Sequence, residues 1–69
     1  MTVRPWLGER LRRLREEAAL TQAELAERSG VSLSTISRLE QTSLPVRAGT
    51  IRKLARALSV PPQTLTKED

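Results

Sequence analysis

The sequence predicts an all-α fold, and three observations carry that expectation. No stretch alternates apolar and polar residues over a useful length, so strands are not expected. Apolar residues recur instead at steps of three and four, the spacing that lines one face of a helix. Two segments, at Thr21 and Ser32, open on side chains suited to capping a helix N-terminus.

The elements follow in order. Leu7, Leu11, Leu14 and Ala18 form a first apolar stripe, and Pro5 suits a first helical turn, which predicts a helix over 5–18. Thr21 and Glu24 make a capping box, in which each side chain accepts from the other residue's backbone amide. Leu20 before this cap and Leu25 after it add a hydrophobic staple. The second helix runs over 22–28, and Gly30 follows as a left-handed terminator. Ser32 caps a third helix over 33–41, with Val31 and Ile36 repeating the staple. The polar connection 42–46 contains Pro45, which disfavours helix at Leu44. Ile51, Leu54, Ala55 and Leu58 define a fourth helix over 48–58. Pro61 and Pro62 then punctuate the chain. A last turn over 62–66 docks Leu65 on the core, and Lys67, Glu68 and Asp69 fray. The 69 residues are expected to form a single domain over 1–69, ordered over about 5–66.

A chain of this length buries only about 60% of the surface it exposes when unfolded, so its core is thin. Composition then narrows the function. Cysteine and histidine are absent, which removes disulfides and the usual zinc ligands. The same absence, with no glycine-rich phosphate loop and acidic residues mainly on solvated helix faces, argues against an enzyme. No metal, cofactor or small-molecule ligand is expected. There is no long apolar run and no leader segment, so a cytoplasmic chain without membrane contact is expected. One tryptophan, with no tyrosine or phenylalanine, leaves little with which to stack single-stranded bases. A formal net charge of +4 suits a polyanionic partner.

Two short helices separated by a turn containing glycine have helix-turn-helix spacing. At about 100° per residue, Leu33, Ser34, Ser37, Arg38 and Gln41 share one side of the third helix, with Ile36 and Leu39 opposite. Small polar side chains let a helix sit deep in a major groove about 12 Å wide. Arg38 can fork to guanine, the serines can donate or accept, and Leu33 suits a thymine methyl or else covers the edge of the core. Gln22, Ser32 and Thr35 lie at helix starts, where free amides and the positive dipole end attract phosphate. Ser32 has capping as a second role, or as its whole role. Arg47, just before the fourth helix, is a further candidate phosphate contact. Arg10, Arg12 and Arg13, with Arg52, Lys53 and Arg56, read as solvated faces that can add long-range attraction. Trp6 is either a cap on the core or part of a protein contact.

Residues 21–40 resemble the Cro/cI phage-repressor, or XRE, type of helix-turn-helix. The shared pattern is T-Q-x-x-L-A-x-x-x-G-V-S-x-x-x-I-S-x-x-E, here Thr21, Gln22, Leu25, Ala26, Gly30, Val31, Ser32, Ile36, Ser37 and Glu40. The segments 11–15 and 50–58 resemble that family's first and fourth helices, so the likeness spans about 7–65. The resemblance implies a compact, lambda-repressor-like bundle of five short helices. It implies base reading by Leu33, Ser34 and Arg38, with Ser37 nearby, and a phosphate contact at Gln22. It also implies a structural ion pair between Arg15 and Glu40. Where the family often has glycine after helices one, three and four, this chain has Ala19, Thr42 and Ser59. A left-handed backbone at each would cost roughly 1 kcal/mol. The segment 42–47 is also poor in lysine and arginine, which weakens backbone clamping there.

The function expected is sequence-specific binding of double-stranded DNA by a prokaryotic or phage transcriptional regulator. One short helix reads few bases, so a homodimer on a palindromic operator is expected, with half-sites ~34 Å apart. The competing reading is a protein-interaction module, such as an antitoxin or an accessory subunit, that uses the same fold to dock on protein.

Overall fold

Among the residues described in the computed structural model, 2, 3, 5–42 and 45–67, the chain forms five helices and two very short strands. Helix α1 spans Leu7–Glu17, α2 Gln22–Ser29, α3 Leu33–Gln41, α4 Ala48–Ala57 and α5 Gln63–Thr66. The α3 bounds are those its cap and apolar pattern predict, and the others shift by one or two residues at their ends. The start of α1 moves from Pro5 to Leu7. Trp6 is its N-cap with helical dihedrals, and its carbonyl already takes the Arg10 amide at 3.0 Å.

Three helix ends show how the chain manages without glycine. After α1, Ala19 is left-handed (φ 59°), with Ala19 N–H donating to Glu16 O and Leu20 N–H to Arg15 O, both at 3.0 Å. After α4, Ser59 repeats the arrangement (φ 58°), with Ser59 N–H on Arg56 O and Val60 N–H on Ala55 O. Both are Schellman endings, in which two crossed bonds satisfy the last carbonyls. Thr42 departs from expectation. Its backbone is extended (φ −139°, ψ 160°), and its amide and hydroxyl both bond to Arg38 O. The strain foreseen at three positions therefore falls on two.

The chain is not wholly without strand. Strand β1, Thr2–Val3, pairs antiparallel with β2, Pro45–Val46, in the register Thr2 with Val46 and Val3 with Pro45. Two-residue strands are too short to show alternation, and their partners lie over forty residues apart, so no local pattern announces them. Pro45, which cannot donate to a ladder, is tolerated in a sheet that is all edge. Leu44, Glu68 and Asp69, for which a non-helical backbone and fraying are expected, lie outside the described residues.

Helix α1 packs on α3 and α5, α2 on α3 and α4, and α4 on α5, within extents of 25 × 22 × 19 Å. Leu11, Leu25, Ile36, Leu54 and Leu65 have no exposed surface. Both staple pairs, Leu20 with Leu25 and Val31 with Ile36, are buried. The first apolar stripe gives out at its C-terminal end: Leu14 is half-buried and Ala18 exposed, because the chain turns left-handed at Ala19. At Gly8 the backbone of α1 lies against that of α3. A Cβ there would lie 2.1 Å from the Leu39 carbonyl oxygen, so only glycine fits.

Arg10 corrects the expectation of a solvated face. It is 9% exposed, and its guanidinium donates to the carbonyls of Thr64 (3.2 Å) and Lys67. It thereby caps the C-terminal end of α5, where carbonyls lack helical partners. Lys67 is accordingly held, its own amide bonding to Gln63 O at 2.8 Å. Trp6 is half-buried, and its indole N–H is buried without a hydrogen-bond partner.

Candidate nucleic-acid interface

The geometry of α2 and α3 is set by short-range bonds. The Thr21 hydroxyl accepts from the Glu24 amide at 3.0 Å, and the Glu24 carboxylate accepts from the Thr21 amide at 2.8 Å. The bond from the Thr21 backbone amide first, then the Thr21 side chain and the charge of Arg28, hold the Glu24 carboxyl below its usual range. Gly30 ends α2 in the left-handed region (φ 77°). The Ser29 hydroxyl, accepting from the Val31 amide at 3.1 Å, braces the turn that follows. Ser32 then starts α3: its hydroxyl accepts from the Thr35 amide (3.2 Å) and donates to the Thr35 hydroxyl (2.8 Å).

With both ends fixed, α3 divides into two faces. Ile36 is 0% and Leu39 3% exposed, locked into the core. Ser32, Leu33, Ser34, Arg38 and Gln41 are exposed, while Thr35 and Ser37 are half-buried at the flanks. Leu33 is 47% exposed, a large apolar side chain open to solvent on this ridge. The outward ridge therefore presents an apolar side chain, small hydroxyls and one guanidinium.

Behind this ridge lies a polar node joining three helices. Arg15 Nε donates to Glu40 Oε2 at 2.8 Å and Arg15 Nη2 to Glu40 Oε1 at 3.0 Å, a two-pronged ion pair between α1 and α3. The side chains are 11% and 3% exposed. Arg15 Nη1 also donates to the Leu20 carbonyl at 2.7 Å, tying the turn before α2. Gln22, the first residue of α2, donates from Nε2 to Glu40 Oε1 at 3.0 Å. Burial pushes the Glu40 carboxyl up. Hydrogen bonds from Arg15 and Gln22, with the charges of Arg15 and Arg12, outweigh it and hold the carboxyl below its usual range. The bond to Glu40 in turn raises Arg15 against the opposing effect of its burial.

The structure thus gathers Arg15, Gln22 and Glu40 into one cluster, and Ser32 with Thr35 into another. Arg47 stands apart from both, exposed at the N-cap of α4 with no side-chain capping bond. Arg12, Arg13, Arg52, Lys53 and Arg56 are exposed, and Arg12 pairs with Glu16 at 3.4 Å. Residue-level reasoning did not foresee the bonds from Gln22 to Glu40 or from Arg15 to Leu20. Gln22 and Glu40 are 18 positions apart, and no helical spacing links them.

Comparison with known proteins agrees with this geometry. A family model described as a helix-turn-helix domain matches residues 6–68. The HTH-type transcriptional repressor RghR of Bacillus subtilis (strain 168) is 53% identical over 55 residues, covering 78% of this chain and 41% of the relative. The crystal structure of the restriction-modification controller protein C.AhdI from Aeromonas hydrophila superposes with a TM-score of 0.81. It is 39% identical, over 86% of this chain and 89% of that one. Streptomyces albus HEPD, solved with 2-hydroxyethylphosphonate and Fe(II), also reaches 0.81 at 29% identity, over 94% of this chain but 15% of its own. The chain spans about two fifths of the length of the curated relatives it matches. Among the described residues, no helix is long and apolar enough to cross a membrane.

Proposed function

The chain belongs to the helix-turn-helix domain family, and from that premise we propose that it is a sequence-specific DNA-binding transcriptional regulator. In this reading α3 enters the major groove of double-stranded DNA. The observation that carries it is the outward ridge of α3, with Leu33, Ser34 and Arg38 exposed while Ile36 and Leu39 are buried. Arg38 donates two bonds to a guanine edge, Ser34 and Ser37 hydrogen-bond base edges, and Leu33 packs on a thymine methyl. Gln22, Ser32, Thr35 and Arg47 contact phosphate, which fixes register without reading sequence. Arg15 and Glu40 are structural in this scheme.

The relatives' names support regulation of transcription. Only 15% of the HEPD chain is shared, so that likeness does not extend to its chemistry. In this proposal residues 1–69 form one helix-turn-helix domain that works in the cytoplasm and binds DNA without catalysing a reaction. It acts as a homodimer joined through the α4–α5 region on a palindromic operator. Selection of binding sites from random duplexes, followed by a salt-titrated mobility shift, tests the reading. The expected result is a two-fold symmetric site with half-sites ~34 Å apart, bound less tightly as salt rises. Absence of binding at low salt would overturn it in favour of docking on protein.

A further inference from the structure

We propose that Glu40 is a positioning residue for the DNA backbone contact, acting through the Gln22 side chain. The inference rests on the reading above, in which Gln22 meets a phosphate. It deepens that reading by assigning the ion pair a part in binding as well as in folding.

The argument starts from what each group can do. A carboxylate only accepts hydrogen bonds, so Glu40 Oε1, 3.0 Å from Gln22 Nε2, selects the nitrogen end of the amide. A phosphate also only accepts. The second N–H on that same nitrogen is therefore the side-chain donor left to serve it, while the amide oxygen is turned elsewhere. Left free, the Gln22 amide would sample orientations that turn its oxygen, an acceptor, toward the phosphate, where it can make no bond. It would also have to be ordered at the moment of binding, which costs affinity.

Glu40 is suited to hold another side chain because it is itself tied down. Its side chain is 3% exposed, and its carboxylate is gripped by two prongs of Arg15. Arg15 in turn holds the Leu20 carbonyl, two residues before Gln22. One guanidinium thus fixes both the acceptor and the backbone that leads to the donor. A simple ion pair between α1 and α3 needs neither of these extra bonds.

The charge of Glu40 makes the two roles separable. An anion close to DNA weakens binding, so removing it should strengthen association if its only effect were electrostatic. The positioning role predicts the opposite sign. The test uses the full chain and a fluorescent random-sequence duplex, because a phosphate contact is indifferent to base sequence. Gln22→Ala is measured in the wild type and in a background carrying Arg15→Met with Glu40→Met. That background removes one charge of each sign, and apolar replacement of a buried pair is often tolerated. Glu40→Gln serves as a second background, with folding of every variant checked by circular dichroism.

In the wild type, Gln22→Ala is expected to weaken binding about five-fold, the scale of ordering one flexible side chain. In the paired-methionine background the same change is expected to have almost no further effect, and that background alone should bind more weakly than the wild type. Glu40→Gln, whose amide can still accept but no longer grips Arg15 as an ion, should lose part of the five-fold despite shedding a negative charge. Equal losses from Gln22→Ala in all backgrounds would overturn the positioning role while leaving DNA binding intact. So would tighter binding by folded Glu40→Gln. A wild type that binds no duplex at any salt would remove the underlying reading and this inference together.

Discussion

Arg15 illustrates how much one side chain can carry in a 69-residue chain. It bonds to Glu40 twice and to Leu20 once, so truncation strands a carboxylate that is 3% exposed. Arg15→Ala is expected to destabilise the fold by about 2–4 kcal/mol, read as a lower thermal midpoint. An unchanged midpoint would show that the pair adds nothing. Acid acts on the same node. Glu40 and Glu24 both titrate below their usual range in the folded state. The stability they contribute is therefore complete above the ordinary carboxylate pKa of about 4.3 and is lost as pH falls through the lower folded values. Denaturant midpoints measured downward from about pH 6 should fall steeply only below that point, and Glu40→Gln should flatten the fall. Arg38 is tested by recognition instead: Arg38→Ala should cost about 1–3 kcal/mol and relax preference at one base pair in a selected-site profile. At this scale the sequence distinguished the outward Leu33, Ser34 and Arg38 from the inward Ile36 and Leu39, because a single helix contains that information. It misjudged Arg10, whose partner carbonyls lie 54 and 57 residues away, beyond any local pattern.

Among the elements, helices were legible where their signals are local. Thr21 with Glu24 and Ser32 with Thr35 are three-residue constellations, and both starts fall where those residues place them. The β1–β2 pairing was illegible for the converse reason: its bonds close a loop of more than forty residues, and two residues per strand carry no period. Helix ends sit between these cases. The positions where glycine is missing could be named, but the ending adopted depends on whether a local bond offers an alternative. Thr42 has one, through its hydroxyl on Arg38 O, whereas Ala19 and Ser59 accept the left-handed turn. Ala19→Gly and Ser59→Gly are therefore each expected to raise stability by roughly 1 kcal/mol. Thr42→Gly, at an extended residue, should lower it. Chemical denaturation of the three variants separates these outcomes, and a gain at Thr42 would contradict the extended ending.

For the molecule as a whole, stability comes from a thin core in which, among the described residues, five side chains are wholly shielded, each belonging to a different helix. Packing of this kind leaves little redundancy, so Leu25→Ala or Leu54→Ala should cost about 2–5 kcal/mol and leave the chain largely unfolded near body temperature. Far-ultraviolet circular dichroism would report it. Net charge acts at the same scale. With 12 cationic and 8 anionic side chains, the proposed attraction to DNA draws on the net charge as well as on single contacts. Affinity for a random duplex should thus decline linearly in log–log plots against salt, whereas Arg38→Ala should reduce the slope by no more than about one. The overall arrangement of five helices could be read from sequence because caps, stripes and the resemblance agreed. How α1, α2 and α3 interlock was readable only in part: the resemblance implied the Arg15–Glu40 pair, but the Gln22 bond to Glu40 and the Gly8 contact are made by residues distant in the chain and no motif announces them.

The contact at Gly8 bears on how the protein could diversify. Where two main chains touch, the tilt of one helix against the other is dictated by invariant backbone dimensions, not by whichever side chains happen to fill a gap. Mutations that repack the interior elsewhere can then alter melting behaviour while the aim of α3 stays put. With Leu33, Ser34 and Arg38 reading bases as proposed, new sequence preferences can accordingly arise by exchanging those three alone, on a mount that does not drift.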